Sequence, residues 1–244
     1  MYRLFILILL AAVALLPAQT PTAGSVIERA RQALGSESAL VDMVTLRIEG
    51  QVKPNDSKLM PARIVLTARK PCSQRLEIYV DDMLETTILH GGQAIMIRSH
   101  TKEKSMGNMR KLSEKERKCM EQSTRNLFNF YNPDYGKGEL ATYEGIARHR
   151  GEICDVITYT SPADIKTLRY FSRKEARLVA TIREVSGEQI EIVEEGELFV
   201  DGVRFPQAQL YFQGRQALHR LEVTKVTINE ALEDGIFDIP ELKK

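Results

Sequence analysis

The sequence of 244 residues has no tryptophan, only three cysteines and almost no excess of charge of either sign. Its 34 Lys and Arg residues stand against 33 Asp and Glu residues, which gives a formal net charge of +1. Nucleic-acid binding usually needs an excess of positive charge that displaces counterions from phosphates, so this balance argues against a nucleic-acid partner. Three cysteines are too few for a disulfide-dense miniprotein, and 43% hydrophobic with 27% charged residues is typical of a folded globular protein.

Long hydrophobic runs are also scarce. The longest is a run of thirteen apolar residues at 4–16, which directly follows Arg3. Because a membrane-spanning helix needs ~20 apolar residues, this layout is typical of a secretory signal peptide, and a buried helix of the folded protein is the weaker alternative. We predict a signal peptide over residues 1–18 with cleavage near Ala18, although a site near Ala14 fits the small-x-small rule better.

Cysteine is absent before Cys72, which argues against a lipid-modified cysteine at the predicted mature N-terminus. We therefore expect an exported protein that is not anchored to a membrane. With Cys119 and Cys154, the odd number allows one disulfide and one thiol in an oxidising compartment, or three buried small side chains. Their spacing matches no metal-site pattern.

Sequence motifs of catalytic sites are missing as well. The four histidines are His90, His100, His149 and His219, and none lies in an HxH, HxxxH or HExxH pattern. The sequence also contains no GxSxG, Walker A or GxGxxG motif. It therefore favours a protein that is not an enzyme and that needs no cofactor or metal. A Cys–His pair assembled from distant parts of the chain stays open as a less favoured alternative.

Three helices are predicted from local signals. Ser25 and Glu28 have the spacing of a capping box, apolar residues follow at helical spacing, and Gly35 stands where a glycine commonly ends a helix. A second short helix follows directly. Another capping box, which begins at Ser113, predicts the third helix over residues 112–131.

From Thr45 onward, apolar and polar residues alternate with a period of two, which is typical of antiparallel strands with one apolar and one wet face. About twelve such strands follow, and Asp201-Gly202 predicts a tight turn between two long ones. The fold predicted for residues 19–244 is a single α+β, mainly β domain, in which one large curved antiparallel sheet carries helices on one face. Two small domains on either side of the third helix are the alternative.

Charge is segregated along the chain. Residues 102–118 carry a local charge of +4 and residues 184–201 a local charge of −7. Both segments fit solvated faces, and the basic one also fits contact with lipid headgroups or an acidic partner. The candidate contact residues are Lys102, Lys104, Arg110 and Lys111. In the acidic segment, Glu191, Glu195 and Glu197 share strand parity, which permits Ca²⁺ binding, although such carboxylates are usually just solvated.

The apolar strand faces suggest a ligand site. Three short helices cover a twelve-stranded sheet thinly, so an apolar groove for acyl chains or hydrophobic peptides is expected, with a tightly filled core as the alternative. The candidate lining residues are the strand residues Leu46, Ile48, Leu66, Ile78, Met96 and Ile97, and the aromatic residues Phe128, Phe130 and Tyr131 at the end of the third helix.

The sequence resembles the outer-membrane lipoprotein-sorting (LolA-like) proteins of Gram-negative bacteria over residues 25–241. The resemblance lies in the opening VIERARQALGSESALVDMVTLRIEGQV, the late segment ELFVDGVRFPQAQLYF and the closing TINEALEDGIFDIPE. It implies a half-open antiparallel barrel of about 11–12 strands, with helices forming a lid over a hydrophobic cavity.

The resemblance also implies a function. Carrier members of the family accept an acylated lipoprotein from an inner-membrane transporter and pass it to an outer-membrane receptor. We therefore expect a soluble, monomeric periplasmic carrier for an acylated lipoprotein or lipid. The alternative is a periplasmic sensor or protein-interaction module of the same fold.

Overall fold

The computed structural model describes residues 21–102, 107–162, 165–185 and 187–240. The predicted signal peptide and Lys104 lie outside the described residues. Within those residues, no helix has the length and apolar character needed to cross a membrane.

The described residues contain three α-helices, which are α1 (Ala23–Leu34), α2 (Glu37–Val41) and α3 (Glu114–Asn129). A single 3-10 turn follows at Tyr135–Lys137. The capping box predicted at the start of α3 is confirmed, because Ser113 and Glu116 cap each other reciprocally. The first predicted box is wrong by one turn. Thr22 and Ser25 form the capping box instead, because the side chain of each accepts a hydrogen bond from the backbone N–H of the other. The box therefore lies three residues earlier than predicted, and the helix is longer.

The strands are more numerous than predicted. In chain order they are β1 (Thr45–Pro54), β2 (Ala62–Arg69), β3 (Ser73–Val80), β4 (Met83–His90), β5 (Gln93–His100), β6 (Asn108–Lys111), β7 (Leu140–His149), β8 (Glu152–Thr160), β9 (Lys166–Ser172), β10 (Leu178–Val185), β11 (Glu188–Glu195), β12 (Leu198–Val200), β13 (Val203–Phe205), β14 (Ala208–Gln213) and β15 (Gln216–Ile228). The region of β6 reads as a loop in sequence, and pairing with β5 makes it a strand.

Thirteen strands form one curved antiparallel sheet, which confirms the predicted fold class. Their order is β6-β5-β4-β3-β2-β1-β15-β14-β11-β10-β9-β8-β7, so strands from both halves of the chain meet where β1 pairs with β15. The edge strands β6 and β7 do not pair with each other, and the sheet stays open. The segment that contains α3 connects these two edges.

The tight turn predicted at Asp201-Gly202 is confirmed, but the two long strands around it are not. Gly196, with a φ of 65°, and Pro206 interrupt them, so β12 and β13 form a separate hairpin. The hairpin turn packs against the end of α1, where a Cβ on Gly35 would lie 2.5 Å from the carbonyl oxygen of Gly202. Only glycine at position 35 therefore allows the two backbones to come this close.

We call the sheet face that carries the helices the inner face. One core cluster joins β1, β2 and β15 to α2, the end of α3 and the hairpin. A second cluster packs α1 against β8 and β9, and the buried carboxylate of Asp155 fixes α1 there by accepting bonds from Arg29 at 2.7 Å and Tyr143 at 3.0 Å. A third cluster lies on the opposite, outer face, where the C-terminal segment places Phe237 against Ile88 and Ile95.

Candidate functional site

Residues that pair across neighbouring strands form rows that run across the inner face. The first row lies directly beneath α2 and the end of α3 and is closed, because Leu40 and Phe128 pack on it. Its side chains are buried, and they are Ala94, Leu89, Gln74, Ala68, Leu46 and Ile228.

The next rows, farther from these helices, are mostly apolar and mostly half-buried. The second row continues from Met96 through Thr87, Leu76 and Leu66 to Ile48. We define the apolar groove as the half-buried apolar side chains of these rows on β1, β2, β3, β5 and β15, which are Ile48, Val52, Ile64, Leu66, Leu76, Ile78, Met96, Leu221 and Val223. A strip of apolar surface therefore remains partly open to solvent on the inner face.

The candidate lining residues fall into different environments. Ile48, Leu66, Ile78 and Met96 lie in the apolar groove. Leu46, Phe128 and Phe130 are packed in the closed core, with exposed fractions of 1%, 7% and 9%, so we leave them out of the groove. Tyr131 is half-buried between two core clusters, and its ring meets that of Phe171 edge to face at 5.1 Å.

The expectation that Met96 and Ile97 line the same cavity is wrong. Successive side chains of a strand point to opposite faces, so one of the two must face outward. Ile97 packs on the outer face in the cluster formed by Ile88, Ile95 and Phe237.

The basic residues proposed for headgroup contact do not form one patch among the described positions. Lys102 pairs with Asp82 at 2.6 Å, and Arg110 pairs with Glu116 at 2.9 Å. Arg110 lies beside Met96 on the inner face, whereas its neighbour Lys111 has the opposite orientation.

Two carboxylates of the acidic segment are paired with side chains of the protein itself. Glu191 accepts bonds from His149 at 2.7 Å and from Arg150 at 2.6 Å, and Glu195 pairs with Arg220 at 2.6 Å. Glu197 lies between β11 and β12, so strand parity does not extend to it. No group of three potential metal ligands comes together in the part of the chain that the structure describes.

Sequence reasoning missed a buried arginine that joins two helices. Arg31 of α1 donates from Nη1 to the carbonyl oxygens of Asn129 and Phe130 at 2.8 and 3.0 Å, and it pairs with Glu37 at 2.6 Å. The sequence feature that could have identified Arg31 is its position four residues after Ile27, which places it at the edge of the apolar face of α1.

A polar cluster lies on the inner face beyond the groove. Glu194 follows Ile190 and Ile192 on the same face of β11, so a charged residue interrupts an apolar series. Its neighbours include Arg204, whose side chain is buried, and Arg169, whose guanidinium lies 4.3 Å from the ring centre of Tyr159. Burial raises the pKa of Glu194 from 4.5 to about 7, although Arg204, Arg169 and Arg177 act in the opposite direction.

This pKa predicts a dependence of stability on pH. The folded state favours the neutral acid, so stability falls as pH rises through the window from 4.5 to about 7. Glu194→Gln should therefore raise Tm at pH 8 by at least about 2 °C and have little effect at pH 5. Thermal unfolding at both pH values measures this, with the exposed Glu184→Gln as the control. An equal effect of Glu194→Gln at both pH values would contradict the prediction.

Comparison with solved structures identifies the fold. A LolA superfamily protein from Nitrosomonas europaea superposes with a TM-score of 0.60 at 14% identity, covering 90% of this chain and 99% of that one. A DUF1329 family protein from Desulfovibrio piger ATCC 29098 gives a TM-score of 0.59 at 9% identity, covering 90% and 98%. The chain has the LolA-like fold.

A third solved structure agrees with this LolA-like fold. It is a putative outer membrane lipoprotein-sorting protein domain from Vibrio parahaemolyticus, with a TM-score of 0.52 at 10% identity, covering 88% of this chain and 97% of that one. No family model matches the sequence, and no curated protein matches it. At these identities the similarity concerns the fold.

Proposed function

We propose that the protein is a periplasmic carrier that holds acyl chains of a lipid or lipoprotein in the apolar groove. The observation that carries the proposal is the inner-face strip of apolar side chains, which the helices cover only in part. The LolA-like fold and the predicted signal peptide support it. In this proposal the protein acts by non-covalent binding and release and catalyses no reaction.

Binding is driven by removal of acyl surface from water, at ~25 cal/mol per Å² of apolar area. The first row is buried and the next rows are half-buried, so a chain can lie across the strands against Leu66, Leu76 and Ile78 without displacing the closed core. The ligand passes from an inner-membrane transporter to an outer-membrane receptor when the receptor binds it more tightly.

The helix α3 supplies a movable cover. Its end is clamped by Arg31, whereas its middle contacts the sheet through a polar bond from Thr124 to Gln74 at 2.9 Å. Several side chains of its first half are exposed, namely Lys115, Glu116, Lys118 and Cys119. The exposed ion pair between Glu116 and Arg110 of β6 ties this first half to the sheet, and when that pair opens the first half can swing outward to admit a ligand while the clamped end stays in place.

A substitution that fills the groove tests the site. Ile78→Trp should weaken binding of a fluorescent acyl probe at least about tenfold, because the indole occupies the space of the chain. Ile97→Trp is the matched control, since Ile97 is also a half-buried strand isoleucine but lies on the outer face. Equal affinities of the two variants would contradict the location of the site.

A second experiment looks for the native ligand in protein that is purified after export by the native host. Mass spectrometry of the purified protein should detect a bound lipid or lipoprotein. Absence of any bound lipid, together with no acyl-probe binding, would overturn the proposed function. A protein partner that binds equally well when the groove is filled would instead support the interaction module.

A further inference from the structure

A cavity lies where the hairpin leaves the sheet. It has a volume of about 330 Å³ and is lined by Arg177, Leu178, residues 194–197 and Arg204. Arg204 belongs to β13 and is 6% exposed, so its guanidinium is almost entirely enclosed by protein. We call this cavity the Arg204 pocket.

The guanidinium of Arg204 is incompletely paired. Its Nη1 donates to Glu197 at 3.2 Å, but Nε and Nη2 are buried and have no hydrogen-bond partner among the described residues. These two nitrogens form the edge of the guanidinium that binds both oxygens of one carboxylate or phosphate. A buried hydrogen-bond donor without an acceptor lowers the stability of the fold. An oxyanion that accepts from both nitrogens removes this cost.

The carboxylates that line the pocket do not supply this acceptor. Glu195 is engaged by Arg220 at 2.6 Å, and Glu197 bonds only to Nη1. Glu194 makes no hydrogen bond to either nitrogen, and burial, which raises its pKa to about 7, leaves it only about half ionised at neutral pH. The other cation of the pocket, Arg177, is already paired with Glu152 and Glu175.

The Arg204 pocket lies close to the apolar groove. Glu194 in the pocket wall pairs across the sheet with Gln209, which pairs with Leu221, which pairs with Val52. Glu194 is thus two strands from Leu221, or about 10 Å. One amphiphilic molecule can therefore place its acyl chain in the groove and its polar end at the pocket.

We propose that the Arg204 pocket is a subsite for an oxyanion, and that the ligand of the apolar groove is an anionic amphiphile with a carboxylate or phosphate end. The part about the acyl chain rests on the proposed carrier function. The oxyanion enters the cavity, and its two oxygens accept bonds from Nε and Nη2 of Arg204.

Binding of three probes with the same chain length tests this inference. By calorimetry, the exported protein should bind decanoate and decyl phosphate at least about tenfold more tightly than 1-decanol. Arg204→Met should bind all three with affinities within about twofold of one another. Methionine removes a buried charge that is incompletely paired, and the half-exposed Glu197 regains water, so this variant should fold at least as stably as the unaltered protein without ligand. Arg47→Met, on an arginine that is already paired with Glu49 and lies away from the pocket, is the control and should keep the preference.

Inorganic phosphate distinguishes a lipid end group from a free anion. Phosphate should raise Tm of the unaltered protein more than that of Arg204→Met, and an equal rise shows that the pocket does not hold it. Should Arg204→Met fail to fold, Arg204→Lys keeps the charge without the two-nitrogen edge and should lose several-fold of the preference; an unchanged preference would overturn the subsite.

The remaining outcomes separate this inference from the carrier function. Equal binding of decanoate and decanol to the unaltered protein contradicts the subsite and leaves the acyl site intact. Protection by phosphate that depends on Arg204, without binding of any decyl probe, supports the subsite and contradicts the carrier function. If the protein binds no decyl probe and phosphate gives no protection, the subsite and the carrier function are both contradicted.

Discussion

Replacement of Arg31 by methionine is expected to lower the free energy of unfolding by about 2–4 kcal/mol and to loosen the end of α3. Methionine keeps much of the apolar stem but donates no hydrogen bond. The buried carbonyl oxygen of Phe130 then loses its donor, and that of Asn129 keeps only the backbone N–H of Asn132 at 3.0 Å. Glu37 is largely exposed and regains water, so its lost ion pair contributes little.

The end of α3 depends on Arg31 because its own sequence does not terminate the helix well. The last turn contains no basic residue, and Phe130 and Tyr131 take up left-handed conformations with φ of 45° and 71°. Such conformations are costly for aromatic residues and persist only when surrounding contacts enforce them. Arg31 provides that contact from another helix.

Urea unfolding gives the free energy, and amide hydrogen exchange reports the loosening residue by residue. The faster exchange should be confined to the second half of α3 and the residues that follow it. Arg47→Met is the control, because Arg47 makes a partly exposed ion pair with Glu49 at 3.3 Å, and it should cost less than about 1 kcal/mol. Equal losses for the two variants would contradict the clamp.

Phe237→Ala is expected to lower the free energy of unfolding by about 3–5 kcal/mol. Phe237 is 2% exposed and anchors the C-terminal segment to the outer face, where it packs with Ile88 and Ile95. The guanidinium of Arg69 lies 5.0 Å from the centre of its ring. Truncation leaves a cavity or detaches the segment, and either result exposes apolar strand surface.

The matched control for this variant is Phe199→Ala. Phe199 lies in the hairpin and is 63% exposed, so its truncation should change the free energy by no more than about 0.5 kcal/mol. Urea unfolding of both variants measures the difference. An effect of Phe237→Ala below about 1 kcal/mol would mean that the C-terminal segment contributes little to the fold. Acyl-probe binding to the folded variant should stay unchanged, because the groove lies on the other face.

Local sequence signals predicted those parts of the fold that depend on neighbouring residues. The period of two predicted the strands, the capping box at Ser113 predicted the start of α3, and Asp201-Gly202 predicted the turn of the hairpin. The errors came where distant contacts decide. β6 is a strand because β5 pairs with it, and the hairpin separates from the sheet where Gly196 and Pro206 interrupt the pairing.

The candidate site shows the same division. Alternation assigned Leu46 and Ile48 to one face correctly, yet Leu46 is in the closed core and Ile48 lines the groove. The prediction that Met96 and Ile97 line the same cavity was inconsistent with the alternation of strand side chains, which places neighbouring residues on opposite faces. Arg204 had no local signal, since its environment arises only when the hairpin folds onto the inner face.

The sequence by itself determined that this chain forms a mainly antiparallel sheet with an apolar and a polar side on each strand. It could do so because the direction of a side chain in a strand follows from its position alone. Only the tertiary structure decided which apolar side chains are covered and which stay open. Coverage of Leu46 comes from Leu40, Phe128 and Val203, which the fold brings together from separate parts of the chain, and strand periodicity contains no information about such contacts.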